Sequence, residues 1–201
     1  LTHKSAAIGA LVPNVKGAER AIAAGVNAVY FVISASETHN QANVRRSIEE
    51  QIEGFRAVRA AIDARPADQR PQLMGAISTS FGCSLEGEVS EAAVCRVARA
   101  FAEARADEIG LADTVGYATP KLIGQIVMAV RREVGPQMTL RLHLHDTLGA
   151  GLANAVAGLE AGIRRFDAAV SGLGGCPFAP GARGNIVTED LVFMLERMGL
   201  S

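Results

Sequence analysis

Apolar positions along this chain alternate between two periods. Short, mostly apolar runs bounded by turn-forming residues fall at 8–12, 28–33, 73–78, 108–111, 140–144 and 166–170, and they predict six strands. Between them the spacing is helical. Val94, Val97, Ala98 and Phe101 recur at i, i+3, i+4 and i+7, and Ile123, Ile126, Val127 and Val130 repeat that pattern. Thr119-Pro120 opens the second of these helices, a capping side chain followed by proline at the first helical position. One longer helix is expected to carry Val44, Ile48, Ile52, Phe55 and Ile62 on its inner face.

Strands that alternate with helices are joined by crossovers, so the sheet is expected to be parallel. An open doubly wound sheet and a (β/α)₈ barrel both satisfy this. Polar residues separate the two. Asn14, Ser34, Ser80, Asp113, His145 and Ser171 stand at or just past the C-terminal end of successive predicted strands. A barrel brings all its βα loops to one mouth, whereas an open sheet gathers its ligand groups at a single switch point. No G-x-G-x-x-G follows the first strand, which argues against a dinucleotide fold. The expectation is therefore an α/β (β/α)₈ TIM barrel, with residues 1–201 forming a single catalytic domain. Six units do not close such a barrel. The first two βα units are expected to be absent from this chain, which begins at Leu1.

Composition narrows the function classes. Apolar residues make up 49% of the 201 positions and charged ones 20%, a balance typical of globular domains. A formal net charge of -1 leaves no basic footprint for nucleic acid. No apolar run reaches the roughly 20 residues that span a bilayer, so no membrane partner is expected. Cys83, Cys95 and Cys176 are odd in number and scattered, which favours reduced thiols over a disulfide framework.

Two stretches hold the chemistry. In "RLHLHDTLG" the strand pattern carries two of the chain's four histidines, His143 and His145, at i and i+2. Side chains so spaced point to one face, where two neutral imidazoles either bind a divalent metal or hydrogen-bond to each other. In "GLGGCPFAPGARGN", residues 172–185, five glycines and two prolines in fourteen residues define a loop. Cys176 within it is either the thiol of a mobile lid or a small residue in a rigid turn. Asn185 at its end supplies a carbonyl oxygen to a metal or caps the next helix. The following "TEDLVFML" has a helix start in Thr188 and Asp190.

Taken together, "HLHDTLG" and "GLGGCPFAPGARGN" resemble the 3-hydroxy-3-methylglutaryl-CoA lyase family, within the metal-dependent TIM-barrel lyases and synthases. The resemblance extends through "SIEE", "FGCSLEG", "EIGLADTVGYATP" and "TEDLVFML". It implies a carbon–carbon lyase that cleaves a 3-hydroxy-3-methylglutaryl-CoA-like substrate to acetyl-CoA and a keto acid (acetoacetate for the parent substrate). It implies His143, His145 and Asn185 as ligands of Mg²⁺ or Mn²⁺, Cys176 as a catalytic thiol in proton transfer, and Asp113 as a catalytic acidic group near the substrate. An acyl-CoA is the implied partner, and a homo-oligomer of two or more copies the implied assembly. A bacterial cytoplasmic setting is expected, or a mitochondrial one if a leader is missing. The family's Arg-Asp pair on its first strand has no counterpart here.

Departures bear on the alternatives. Related isopropylmalate and homocitrate synthases carry G-x-G-E-R-x-G-N where this chain has Gly174-Gly175-Cys176-Pro177, so an acyl-transferring synthase is the second reading and a non-catalytic barrel fragment the third. Ala76 and Leu148 stand where the family places tyrosines, which suggests a larger, more apolar substrate pocket. His39, in "SETHNQAN", is expected in a loop or helix entrance, where it is either solvated or in contact with substrate. Cys83 is expected in a turn, Cys95 packed on a helix, and Arg183 either meets a CoA phosphate or is an exposed loop charge.

Overall fold

The structure, a computed structural model, describes residues 6–175 and 184–200. Six strands alternate with helices. They are β1 (Gly9–Val12), β2 (Ala28–Ser34), β3 (Gln72–Ser78), β4 (Glu108–Asp113), β5 (Leu140–Leu144) and β6 (Phe166–Asp167). All neighbours pair parallel, in the spatial order β1-β2-β3-β4-β5-β6. Space follows sequence without a reversal, so the open doubly wound alternative is gone.

Alternation along each strand sorts side chains to two faces. Val29, Phe31 and Ile33 of β2, Leu73 and Ile77 of β3, Ile109 and Leu111 of β4, and Leu142 and Leu144 of β5 are fully buried under the helices. Those helices are α1 (Val15–Ala23), α2 (Glu37–Val44), α3 (Ile48–Asp63), α4 (Glu91–Glu103), α5 (Pro120–Val134), α6 (Gly151–Glu160) and α7 (Thr188–Arg197). Phe55 of α3 anchors this layer, with ring centroids 5.8 Å from Phe31 and 4.6 Å from Phe101 of α4. Each such buried ring is worth about 1.5–3 kcal/mol of transfer free energy.

The other face is concave. Arg141 of β5 places its guanidinium carbon 4.4 Å from the ring centroid of Tyr30 on β2. Three interstrand gaps, about 14 Å along a flat sheet, separate those strands, so the sheet must curl toward this face for the two to meet. Ser78 at the end of β3, His143 and His145 at the end of β5, and Asp167 of β6 face a common cavity inside the curve.

Local signals explain the helix boundaries. Thr119 caps α5 by accepting from the Leu122 amide, with Pro120 at its first position. The periodicity of α4 and α5 is realised: Val94, Val97, Ala98, Phe101, Ile123, Ile126, Val127 and Val130 are all buried. The single long helix expected to carry Val44 with Phe55 is instead two. Arg45 takes a left-handed backbone (φ 57°) that ends α2, and Ser47 with Glu50 forms a capping box that starts α3. The last strand is shorter than expected. Ala169 makes an isolated parallel bridge to Val187, and Ser171 turns the chain at φ 56°. No helix among the described residues is long and apolar enough to cross a membrane.

Candidate functional site

Register decides what meets on the concave face. In parallel strands, paired residues share a face. Ala112 pairs with His143, and His143 with Asp167. His145 continues the same parity and makes an isolated antiparallel bridge to Asn185. That bridge is held from both sides, because the Ile186 amide donates to the Leu144 carbonyl and the Asp146 amide to Gly184. The "LHLHD" strand end therefore pins the end of the glycine-rich segment, and brings His143, His145 and Asn185 together.

The two imidazoles face each other. His143 Nε2 lies 3.2 Å from His145 Nε2, with the rings tilted by 53°. On the far side, His143 Nδ1 lies 3.2 Å from Asp167 Oδ2. A carboxylate only accepts hydrogen bonds, so the His143 Nδ1–H donates to Asp167 and Nε2 is the ring nitrogen turned toward His145. His145 is buried, and desolvation together with the charge of His143 lowers its imidazole to about 4, leaving it neutral near pH 7.

This donor set fits a divalent cation. Two ligand nitrogens about 2.1 Å from one ion are separated by roughly 3.0 Å in octahedral and about 3.4 Å in tetrahedral arrangement, and the observed separation falls between them. Asn185 adds an oxygen. Its Nδ2 donates to the Leu173 carbonyl at 2.8 Å, while Oδ1 is buried with no donor among the described residues. Among the described residues no cluster of three or more His, Cys, Asp or Glu is placed to hold a metal.

A cavity of about 600 Å³ opens over these groups. His143, His145, Asp167 and Asn185 line it together with Val32, Ala76, Gly110 and Ala112. Gly175 also lines it, immediately before Cys176. Cys176 and Arg183 themselves lie outside the described residues.

Asp113 stands apart from this group. It pairs with Leu144 and so takes the face opposite to Ala112. Its oxygens accept from the Tyr117 amide at 2.9 Å and the Ala118 amide at 3.2 Å, which fixes the loop after β4. Desolvation outweighs those donors and raises the carboxyl to about 6. The structure thus gives Asp113 a loop-holding geometry and does not bring it onto the cavity wall, where its neighbours Ala112 and Thr114 stand.

Other expectations divide. Cys83 shapes a turn, bridging to Gly87 and placing its sulfur 3.3 Å from Ser36 Oγ. Cys95 is buried on α4. His39 is not in a solvated loop. It lies on α2, is 1% exposed, sits with Nδ1 2.7 Å from Ser34 Oγ, and lines the cavity.

Sequence reasoning passed over Asp167, Arg141 and Glu108. Arg141 was accessible, since "RLHLH" places it at i−2 from His143 on the same face. Asp167 needed the β5–β6 register, which no local pattern encodes.

Known proteins resemble this chain in sequence and in fold. Hydroxymethylglutaryl-CoA lyase from human mitochondria is 42% identical over 190 residues, covering 94% of this chain and 57% of its own length. The hydroxymethylglutaryl-CoA lyase of Bacillus subtilis strain 168 is 40% identical over 198 residues, covering 98% and 64%. The chain thus spans less than two thirds of these relatives. The solved structure of an HMG-CoA lyase from Acinetobacter baumannii, in complex with coenzyme A and 3-methylmalate, superposes with a TM-score of 0.92 at 43% identity, over 100% of this chain and 64% of that one. The carboxyl transferase domain of Rhizobium etli pyruvate carboxylase, at 17% identity and a TM-score of 0.66, shares the fold alone. The HMGL-like family model matches residues 2–201, and this chain is a member of that family.

Proposed function

We propose that this chain carries the metal-binding and catalytic part of a divalent-metal-dependent acyl-CoA lyase, which cleaves a 3-hydroxy-3-methylglutaryl-CoA-like substrate to acetyl-CoA and a keto acid. The observation that carries the reading is the convergence of His143 Nε2 and His145 Nε2 at 3.2 Å, beside the Asn185 amide. The similarity to named lyases supports the reaction class. The complex of a related lyase with coenzyme A supports an acyl-CoA substrate. The assembly we propose is a homo-oligomer.

The chemical problem is charge. The C3 hydroxyl gives its proton to a general base, the C3–O bond becomes a carbonyl as the C2–C3 bond breaks, and the electron pair of that bond passes to the acetyl-CoA fragment as an enolate. A divalent cation, when bound, supplies Lewis-acid stabilisation of the oxygens on which that charge develops. His143, His145 and Asn185 are the residues of this chain that would hold it, and Mg²⁺ or Mn²⁺ suits their mixture of imidazole and oxygen with open positions. Val32, Ala76 and Ala112 wall the acyl part and exclude water. Cys176 protonates the enolate carbon, a step for which a positioned acid contributes about 10²–10⁴-fold. Asp113 supports the site through its loop, holding Tyr117 and Ala118 in place.

An acyl-CoA cleavage panel on the full-length protein with Mg²⁺, Mn²⁺ or EDTA tests the proposal. Metal-dependent release of acetyl-CoA is the expected result. Free CoA formed from acetyl-CoA plus a 2-oxo acid would make the protein a synthase instead.

A further inference from the structure

Beneath the histidine pair, the concave face holds a chain of charges, buried at Glu108 and Arg141, that the reaction outlined above does not use. Glu108, 2% exposed, meets Arg141 (Nε to Oε1, 3.0 Å) and Arg165. Arg141 stacks on Tyr30 and sends Nη1 to Asp167 Oδ1 at 3.0 Å. Asp167 uses its other oxygen on His143 Nδ1. Arg141 and Arg165 balance Glu108 and Asp167, so the cluster is neutral and offers no free charge to a substrate.

Each link restricts the next. Arg141, fixed by a ring, a carboxylate and the curl of the sheet, holds one Asp167 oxygen. The carboxylate plane is then set, and its remaining oxygen faces the register partner His143. We propose that Asp167, braced by Arg141, is the positioning residue of this site: it selects the Nδ1–H tautomer of His143 and fixes the ring so that Nε2 is presented to the cation. This rests on the metal-binding reading above, and it adds a group that acts only through His143. Outer-shell carboxylates of this kind orient ligand imidazoles and raise their basicity.

The alternative is that Asp167 serves only to neutralise Arg141. The two roles separate spectroscopically. In long-range ¹H–¹⁵N spectra of histidine-labelled, metal-free, full-length protein, His143 is expected with a protonated Nδ1 and a bare Nε2. Asp167→Asn cannot satisfy both neighbours, because its amide nitrogen must face either Arg141 or the His143 N–H. In this variant the tautomer preference is expected to disappear and Mn²⁺ to bind 10- to 100-fold more weakly by calorimetry. Wild-type His143 protonated at Nε2 would overturn the proposal without recourse to any variant. Unchanged Mn²⁺ affinity in Asp167→Asn would overturn it too. A wild-type protein that binds no Mn²⁺ defeats the metal reading instead, and the tautomer of His143 then decides the brace alone.

Discussion

Asp113 and Leu144 are register partners across β4 and β5, one step beyond the pair Ala112 and His143. That single step turns the carboxylate away from the cavity and into the loop of residues 116–118. Buried there, it is raised from an ordinary 3.8 to about 6. The folded state therefore holds this proton more tightly than the unfolded chain. The stabilisation is fully present below about pH 3.8 and is lost as pH rises through about 6. The stability of the wild type minus that of Asp113→Asn should fall by up to about 3 kcal/mol between pH 4 and pH 7. Urea midpoints of both proteins at the two pH values measure it. Parallel midpoints would show that the loop amides offset the desolvation in full.

His145→Ala and Cys176→Ala should fail in different ways. The first removes one of two facing nitrogens, so metal retained after dialysis, read by elemental analysis, should fall to background along with turnover. The second should keep its metal and still lose most turnover, by about 10²–10⁴-fold. Near-wild-type cleavage by Cys176→Ala would take the thiol out of the mechanism.

Much of this was legible in local pattern, and the exceptions share a cause. All six strands and the faces of α4 and α5 follow from periodicity, because each buries one face against its neighbour. His143 and His145 could be paired because i and i+2 on a strand share a side. Asp167, 22 residues beyond His145, could not be attached to them without the sheet register. The His39 segment is polar along "SETHNQAN", yet a capping hydroxyl at Ser36 folds it into a helix and Ser34 receives its ring. Asp113 was placed correctly at a strand end, but its face depended on a one-residue shift, and strand ends are where sequence is least informative.

Gly75 marks where the sheet and α4 approach too closely for any side chain. A methyl group there would collide with the ring of Phe101, which is itself wedged against Phe55 and fully buried. Neither ring has room to retreat. Gly75→Ala should cost about 1–3 kcal/mol, seen as a Tm lower by several degrees, with the Mn²⁺ affinity of the folded protein unchanged. An unshifted Tm would mean that α4 is not held as closely as its packing indicates.

Val32, Ala76 and Gly110 form one row across β2, β3 and β4, since Val32 pairs with Ala76 and Ala76 with Gly110. All three line the cavity, and none carries a ring. A tyrosine at position 76 would project into that row and occupy the space beside the acyl chain. The metal-binding groups on β5 would be untouched, so Ala76→Tyr should bind Mn²⁺ normally and still cleave 3-hydroxy-3-methylglutaryl-CoA. Substrates with longer branched acyl groups should suffer. Differences of one or a few carbons in an apolar pocket are worth about 10–200-fold, so kcat/KM for these should drop at least tenfold relative to the parent substrate, chiefly through KM. Equal losses for short and long substrates would show that this row does not set acyl length.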